Sequence, residues 1–109
     1  PESVIIKSGS KNHIISYRDI LYLETTQGNN IKMHITGGKE ITIHTSLSKY
    51  QAELPLYFLR CHQSYIVNLN QIETYEPHKL ILKSGEKIPV PPKKYGKIIK
   101  QYQLYLLTK

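Results

Sequence analysis

The sequence has one cysteine, Cys61, and no tryptophan. A single cysteine excludes an internal disulfide, and a zinc site built on thiolates would lack its second ligand. Long hydrophobic runs are also missing, since no stretch approaches the roughly 18 to 20 apolar residues that span a membrane. No basic start followed by an apolar stretch marks a signal peptide. We therefore expect a soluble, cytoplasmic protein that does not span a membrane.

Acidic residues are scarce in the second half of the chain. Residues 1–55 carry 6 basic and 5 acidic side chains, whereas residues 56–109 carry 9 basic and 3 acidic ones. Lysine and arginine release counterions when they neutralise phosphates, so this excess favours a polyanionic partner. Nucleic acid and an anionic membrane surface are the two candidates, and an unspecialised basic surface is the alternative.

The chain is short. A protein of 109 residues fits one domain, and such a domain buries roughly 60 to 70% of the surface that its unfolded chain exposes. The first residue is Pro1 rather than methionine. We therefore expect residues 1–109 to form a single domain that belongs to a longer protein.

Short segments rich in isoleucine, valine, threonine and tyrosine recur between glycine, serine and asparagine, which is typical of antiparallel β structure. The segments "IKMHIT" and "EITIHT" flank Gly37 and Gly38 and predict a β-hairpin. A two-residue Gly-Gly turn would mix apolar and polar side chains on each face. A three-residue loop through Lys39 pairs Ile35 with Ile41 and keeps one face apolar, so we favour that register.

Two helices are predicted. The segment "SLSKYQAELP" has a capping residue, Ser46 or Ser48, and Pro55 to end it. After the proline pair at 91–92, apolar residues and tyrosines recur at i, i+3 and i+4, which predicts an amphipathic helix over residues 93–107. The expected fold class is mainly β, with packed antiparallel sheets, one short internal helix and a C-terminal helix.

The stretch "RCHQSYIVN" gathers a thiol, an imidazole, an amide and a hydroxyl in front of an apolar run. A cysteine nucleophile needs its histidine within hydrogen-bond reach, whereas adjacent side chains of a strand point to opposite faces. Alternation places Arg60 and His62 on one face. It places Cys61 and Gln63 on the other. We therefore interpret Cys61 as a small buried hydrophobe rather than a nucleophile.

The histidines lack the spacing of a metal site. In the predicted hairpin register Thr42 lies opposite His34. Lys32 lies opposite His44, and a cation beside a proposed zinc ligand argues against metal binding. The sequence contains no glycine-rich phosphate loop, no nucleophile elbow and no recognisable pair of catalytic carboxylates. We therefore expect no metal, no cofactor and no enzyme activity.

Three polar segments remain, "QGNN", "RCHQS" and "PPKK". Amide side chains form paired hydrogen bonds with adenine in the major groove, and lysine bonds guanine or neutralises phosphate. Each segment taken alone is also typical of a solvated turn. The tyrosines fit core and helix-face periodicity, which favours packing over stacking on single-stranded nucleic acid.

The motif "FLRCHQSYIVNLNQI" resembles the signature of the LytTR DNA-binding domain family, F-x-R-x-H-x-S followed by a strand that ends in asparagine. "YRDILYLET" and "GEKIPV" match two further landmarks in the same order, and the resemblance runs from about Val4 to the final helix. It implies packed antiparallel sheets and the role of a DNA-binding output domain in a bacterial transcriptional response regulator, with quorum-sensing regulators among its relatives.

The resemblance also implies partners. Loop side chains of that family enter the major groove of double-stranded DNA, and the DNA sites are paired repeats. Residues 1–109 would then be the C-terminal part of a longer protein, preceded by a receiver or sensor domain. A second protomer could share the paired site, and no membrane would be involved.

The family pattern assigns roles to individual residues. Gln63 would be the central base reader, joined by Asn29 or Asn30 of the "QGNN" loop and by Lys93. Beyond the family pattern, our first hypothesis assigns phosphate contacts to four residues: Arg60, Ser64, Lys94 and Lys97. His62 would contact DNA or brace its loop, and bracing through backbone hydrogen bonds is an equal alternative for Arg60.

A second hypothesis keeps the fold without DNA binding. The tyrosine-rich final helix, Tyr95 to Leu106, could dock an upstream domain or a second protomer, which would make the chain a protein-interaction or sensory module. Packing of that helix on its own sheet is the simpler interpretation. Binding of single-stranded nucleic acid or RNA is a third alternative.

Overall fold

The computed structural model describes residues 2–109, which form ten β-strands and two α-helices. The strands are β1 (Ser3–Ser8), β2 (Lys11–Ser16), β3 (Ile20–Thr26), β4 (Asn30–Ile35), β5 (Lys39–Ile43), β6 (Phe58–His62), β7 (Tyr65–Asn68), β8 (Ile72–Glu76), β9 (Lys79–Leu82) and β10 (Lys87–Pro89). The helices are α1 (Leu47–Gln51) and α2 (Pro92–Leu107). The predicted fold class, mainly antiparallel β with a short internal helix and a C-terminal helix, is confirmed.

The strands form three antiparallel sheets. β1 and β2 form a hairpin, and β10, β9 and β8 form a three-stranded sheet. The largest sheet has the strand order β5, β4, β3, β7, β6. Its central strand, β3, pairs with β4 on one side and with β7 on the other. This pairing brings the loop that follows β3 next to the turn that precedes β7.

The five-stranded sheet separates two hydrophobic cores. The first core lies between one face of this sheet, the β1–β2 hairpin and α1, and it contains Leu23, Met33 and Ile66 from the sheet. The second core lies between the opposite face, the three-stranded sheet and α2, and it contains Tyr22 and Val67. Tyr22 and Leu23, which are neighbours in β3, therefore enter different cores, as the two-residue period of a strand requires.

α1 begins where the sequence predicts. The Ser46 hydroxyl accepts a hydrogen bond of 3.1 Å from the Lys49 amide and so caps the first turn. The prediction that Pro55 ends this helix was wrong, because α1 already ends at Gln51. The main chain beyond it tightens into turns whose amides bond three residues back.

α2 confirms the helix predicted over residues 93–107. Pro92 occupies its first position, where the missing N–H costs no helical hydrogen bond. Ile98, Ile99 and Tyr102 are buried and anchor one face of the helix in the second core. Among residues 2–109, neither helix has the length and apolar character needed to cross a bilayer.

The register predicted for the β4–β5 hairpin was wrong by two residues. The connection has three residues, as predicted, but it spans Thr36–Gly38, so Ile35 lies opposite Lys39. Gly37 and Gly38 adopt φ values of 84° and 80°, which glycine reaches without steric cost. The apolar face survives this difference, because a shift of two residues preserves the alternation of a strand.

Asn68, at the end of β7, is the one buried polar side chain among residues 2–109. Its Nδ2 donates to the carbonyls of Ile20, at 2.8 Å, and Tyr17, at 3.3 Å. Its Oδ1 accepts from the Asn70 amide at 2.9 Å. These bonds satisfy the side chain, as burial requires, and tie the end of β7 to the turn before β3.

Candidate nucleic-acid interface

Two loops converge at one edge of the five-stranded sheet. The β3–β4 loop spans residues 27–29, and Gln63 and Ser64 form the β6–β7 turn. A main-chain hydrogen bond of 3.1 Å, from the Thr25 amide to the Ser64 carbonyl, joins the two. The structure therefore brings together two of the three polar segments singled out in the sequence, "QGNN" and "RCHQS".

The two loops and the start of α1 line an open cavity of about 340 Å³. Five predicted contact residues contribute to its wall: Asn29, Asn30, Arg60, Gln63 and Ser64. Of the described residues that line the cavity, none is acidic, and the charged one is Arg60. A surface with one cation, several amides and several hydroxyls suits a polyanion whose bases carry donors and acceptors.

Arg60 braces the β6–β7 turn. Its Nε donates to the main-chain carbonyl of His62 at 3.1 Å, and one terminal nitrogen donates to the carbonyl of Gln63 at 2.5 Å. The other terminal nitrogen donates to Ser48 Oγ at 3.3 Å and ties the turn to α1. A guanidinium carries five N–H donors, so three bonds leave two for a phosphate. Bracing and phosphate binding are therefore compatible at this residue.

His62 also shapes the turn, because its Nδ1 accepts a hydrogen bond of 2.9 Å from the Ser64 amide. The prediction of unbroken alternation from Arg60 to Gln63 was wrong, since the β6–β7 ladder shifts register between Arg60 and His62. A bulge of this kind leaves one residue unpaired and re-aims its neighbours. Cys61 is fully buried in the second core, as predicted, whereas Gln63 is exposed in the turn.

Gln63 and Asn29 present unpaired amide groups at this edge. Both residues are exposed, and within residues 2–109 neither side chain forms a hydrogen bond. A primary amide donates and accepts at once, which is the pattern that the major-groove edge of adenine requires. These two side chains are therefore available to a partner.

Asn30, by contrast, is engaged within the protein. Its Nδ2 donates to the Gln27 carbonyl at 3.1 Å, and its Oδ1 accepts from Nδ1 of His44. Gly28 has a φ of 73°, and a Cβ at this position would lie 3.6 Å from Asn30 Nδ2. The structure thus separates two asparagines that the sequence could not distinguish, because Asn29 is unpaired and Asn30 holds its loop.

The lysines of α2 lie apart from the cavity. Lys93, Lys97 and Lys100 are exposed at i, i+4 and i+7, so they form a stripe about 10 Å long, with Lys94 roughly a quarter-turn away. α2 contains no acidic residue, and the lysine ion pairs found within residues 2–109 involve other positions. The "PPKK" segment therefore forms a separate basic surface and does not line the cavity with the other two segments.

Burial shifts the pKa of two groups beside the turn. It raises the pKa of the Cys61 thiol to about 12. It also raises the pKa of the Tyr65 hydroxyl, with a smaller contribution from the negative charge of Glu24. Both groups are therefore neutral at physiological pH, and neither supplies a reactive anion.

The surroundings of His34 differ from the predicted ones. It lies opposite Glu40 rather than Thr42. Its Nε2 contacts Glu24, and its Nδ1 lies 3.4 Å from a carboxylate oxygen of Glu40. The ring stacks on Tyr22 with centroids 4.2 Å apart. In the described part of the chain no three histidine, cysteine, aspartate or glutamate side chains are arranged to hold a metal ion.

Sequence reasoning missed two residues of these surfaces, His44 and Lys100. His44 was predicted to lie opposite Lys32, but Lys32 lies opposite Thr42, and His44 contacts the start of β4 instead. This contact depends on the register of the β4–β5 hairpin, so the sequence around His44 contains no pattern that predicts it. Lys100 lies one turn beyond Lys97 on the same face of α2, so the helical period of the sequence was sufficient to predict its position.

Comparison with known proteins identifies the family. The family model of the LytTr DNA-binding domain matches residues 10–103. Accessory gene regulator protein A of Staphylococcus epidermidis is 30% identical over 88 residues, which cover 78% of this chain and 36% of that protein. Sensory transduction protein LytT of Bacillus subtilis is 34% identical over 95 residues, 81% of this chain and 38% of that protein. The chain thus spans a little over a third of these relatives.

A solved structure has the same fold. The LytTr DNA-binding domain of a Bacillus cereus response regulator matches with a TM-score of 0.78 and 25% identity, over 94% of this chain and 97% of that one. The resemblance seen in "FLRCHQSYIVNLNQI" is therefore confirmed at the level of sequence and of fold. Because the family model covers most of the chain and the architecture agrees, the chain belongs to the LytTR DNA-binding domain family.

Proposed function

We propose that this chain is the output domain of a bacterial transcriptional response regulator and binds specific sites in double-stranded DNA. The observation that carries the proposal is the meeting of two amide-bearing loops in one cavity without acidic residues. Membership of the family supports DNA as the ligand, and the geometry of the cavity supports the choice of residues that would contact it.

Gln63 and Asn29 are the proposed base readers of this cavity. Their amides are exposed and unpaired within residues 2–109, so they can form paired hydrogen bonds in the major groove. Asn30, Arg60 and His62 hold the loops that carry them. A reader held in this way approaches DNA with its main chain already in place.

Phosphate contacts would fix the position of the domain on the duplex. Ser64 follows the central reader in the turn, and Arg60 keeps two N–H donors after bracing it. Lys94 and Lys97 would contact phosphates from α2. Lys93 is the third proposed base reader, and its place in the lysine stripe suits a phosphate equally well. The salt dependence of binding separates these roles, because phosphate contacts set its slope.

The relatives motivate a proposal about the whole protein. They are about three times as long as the matched segment, and their names describe a gene regulator and a sensory transduction protein. We propose that residues 1–109 are the C-terminal domain of a longer cytoplasmic regulator with an upstream receiver or sensor domain. Two protomers would bind paired repeats, without contact to a membrane.

An apolar groove supports a second candidate function. The groove has a volume of about 490 Å³ and is lined by Leu56, Tyr57, Leu104 and Tyr105, among others. Leu56 is 100% exposed and Leu104 is 54% exposed. Such a groove fits a protein partner, and a chain that used it without binding DNA would be a protein-interaction or sensory module.

Gel retardation at low salt tests the proposal. Micromolar protein should retain a random duplex, and rounds of selection from a random pool should converge on one sequence in two spaced copies. No retention of duplex would reject DNA binding and favour the interaction module. Stronger retention of single strands or RNA than of duplex would favour the third alternative.

A further inference from the structure

His44 contacts Asn30, a residue that lines the cavity, and has no part in the function proposed above. It is exposed and directly follows β5, and the next residue, Thr45, lines the cavity. Its Nδ1 contacts Asn30 Oδ1, whereas Nε2 has no hydrogen-bond partner within residues 2–109. The imidazole is thus held at one nitrogen and unpaired at the other.

The neighbouring contacts assign the proton of this ring. The Gln27 carbonyl can only accept, so the Asn30 atom 3.1 Å from it is the NH₂ nitrogen. The Asn30 atom that faces His44 is therefore the carbonyl oxygen, which also only accepts. Nδ1 must donate to it, and in the neutral ring Nε2 consequently carries the lone pair.

We propose that His44 is a further base-reading side chain, whose Nε2 accepts a hydrogen bond from the exocyclic amino group of an adenine or a cytosine. These amino groups are the donors of the major-groove edge, where guanine and thymine present acceptors and a methyl group. The inference rests on the proposed function, because it requires a duplex seated on the cavity.

The position of His44 directly after β5 suits this role. Ile43, the preceding residue, pairs with Ile31 in the β4–β5 ladder, so the main chain beside His44 is set by the sheet. The contact with Asn30 holds the ring itself. A side chain restrained in both ways loses little freedom when it binds. His44 would thereby add a contact from the end of β5 to those of the two loops.

Atomic substitution in the DNA tests the contact. Once a site has been selected, each adenine is replaced by purine, which lacks the N6 amino group, and each cytosine by 2-pyrimidinone, which lacks the N4 amino group. At one position the wild-type Kd should rise about fivefold, the effect of a single hydrogen bond. His44→Ala should weaken binding to the intact site by a similar factor and be insensitive to the same DNA change.

A purely supportive role for His44 predicts another result. If the ring only holds Asn30, His44→Ala weakens the intact and the substituted sites by the same factor at every position, and this would overturn the inference. Thr42→Ala is the matched control, because Thr42 is exposed two residues earlier in β5. It should show no such coupling at any base.

Failure of the inference differs from failure of the proposed function. If wild-type protein selects a site and Gln63→Ala relaxes it, but His44→Ala couples to no amino group, DNA binding stands and the role of His44 is rejected. If the wild-type protein retains no duplex, both proposals fail together.

Discussion

The guanidinium of Arg60 donates a hydrogen bond of 2.5 Å to the main-chain carbonyl of Gln63. A second bond, from Nε to the His62 carbonyl, fixes the other side of the same turn. The side chain that begins the "RCHQS" segment therefore positions the residue proposed to read DNA. This relationship determines what substitutions in the turn should do.

Gln63→Ala should weaken binding to the selected site by about 1 to 3 kcal/mol, because it removes a paired contact with a base edge. Binding to random duplex should change less. Parallel titrations of both duplexes measure the difference. Gln101→Ala is the matched control, since Gln101 is an exposed glutamine on α2, away from the cavity. Equal losses on both duplexes would reject base reading by Gln63.

Arg60→Lys should weaken binding to the selected site by about 1.5 to 3 kcal/mol, the range for hydrogen bonds to charged groups. Lysine keeps the charge but lacks the planar fork that reaches the two carbonyls of the turn. The slope of log Kd against log salt should therefore stay unchanged. A lysine variant that binds as tightly as the wild-type protein would contradict the bracing role.

Lys100→Gln should flatten the slope of log K against log salt by about 0.9, the value for one phosphate contact on duplex DNA. The effect should be alike on specific and random sites. Lys39→Gln is the control: Lys39 is the first residue of β5, at the end of that strand away from the cavity, so removing its charge should leave the slope unchanged. Equal slopes for all three proteins would exclude Lys100 from the phosphate contacts.

Cys61 should resist alkylation in the folded protein. Its pKa of about 12 leaves almost no thiolate at pH 8, and the side chain is fully buried. Reaction with a thiol reagent should therefore follow the unfolded fraction as urea is added. Rapid labelling without denaturant would show that the thiol reaches solvent in the native state.

The same thiol should make stability depend on alkaline pH. Its folded pKa is raised from an ordinary value near 9.0, so the unfolded chain ionises first. The stabilising contribution is complete below about pH 9 and is lost as pH rises toward 12. Urea unfolding of the wild-type protein and Cys61→Ala at pH 8 and pH 10.5 measures it, because the tyrosines are common to both. Between pH 8 and pH 10.5 the free energy of unfolding should fall more in the wild-type protein than in Cys61→Ala.

Asn68→Ala should lower the free energy of unfolding by about 3 kcal/mol, because it leaves buried main-chain groups without partners. Those groups include the Ile20 carbonyl and the Asn70 amide. Urea unfolding monitored by circular dichroism measures the change. Asn12→Ala, at an exposed position of β2, should cost less than about 0.5 kcal/mol. Similar losses in both variants would refute the structural role of Asn68.

Side-chain periodicity accounts for the elements that were predicted well. Ile98, Ile99 and Tyr102 recur at helical spacing and are the buried residues of α2. The register of the β4–β5 hairpin could not be obtained in this way, because two registers two residues apart bury the same side chains. Gly37 and Gly38 lie within the loop in both registers, so their positive φ values do not separate the two, and the observed loop begins one residue earlier, at Thr36.

The candidate site was predicted in its composition but not in its arrangement. The bulge beside Cys61 follows no sequence period, so alternation failed between Arg60 and Gln63. The contact between Asn30 and His44 joins the first residue of β4 to the residue after β5 and depends on the register. Local sequence therefore identified amides of the right kind, and tertiary contacts decided which of them remain unpaired.

The bonds that hold the β6–β7 turn end on the carbonyls of His62 and Gln63 and on the amide of Ser64. At position 63 the bond is to the main-chain carbonyl, which every amino acid has, so the side chain there can change while the turn keeps its shape. In a regulator built this way, one substitution at this exposed position could change the DNA sequence that is bound without disturbing the fold. The side chain that reads DNA and the contacts that hold the turn can then change independently, which allows related regulators to recognise different DNA sequences with the same fold.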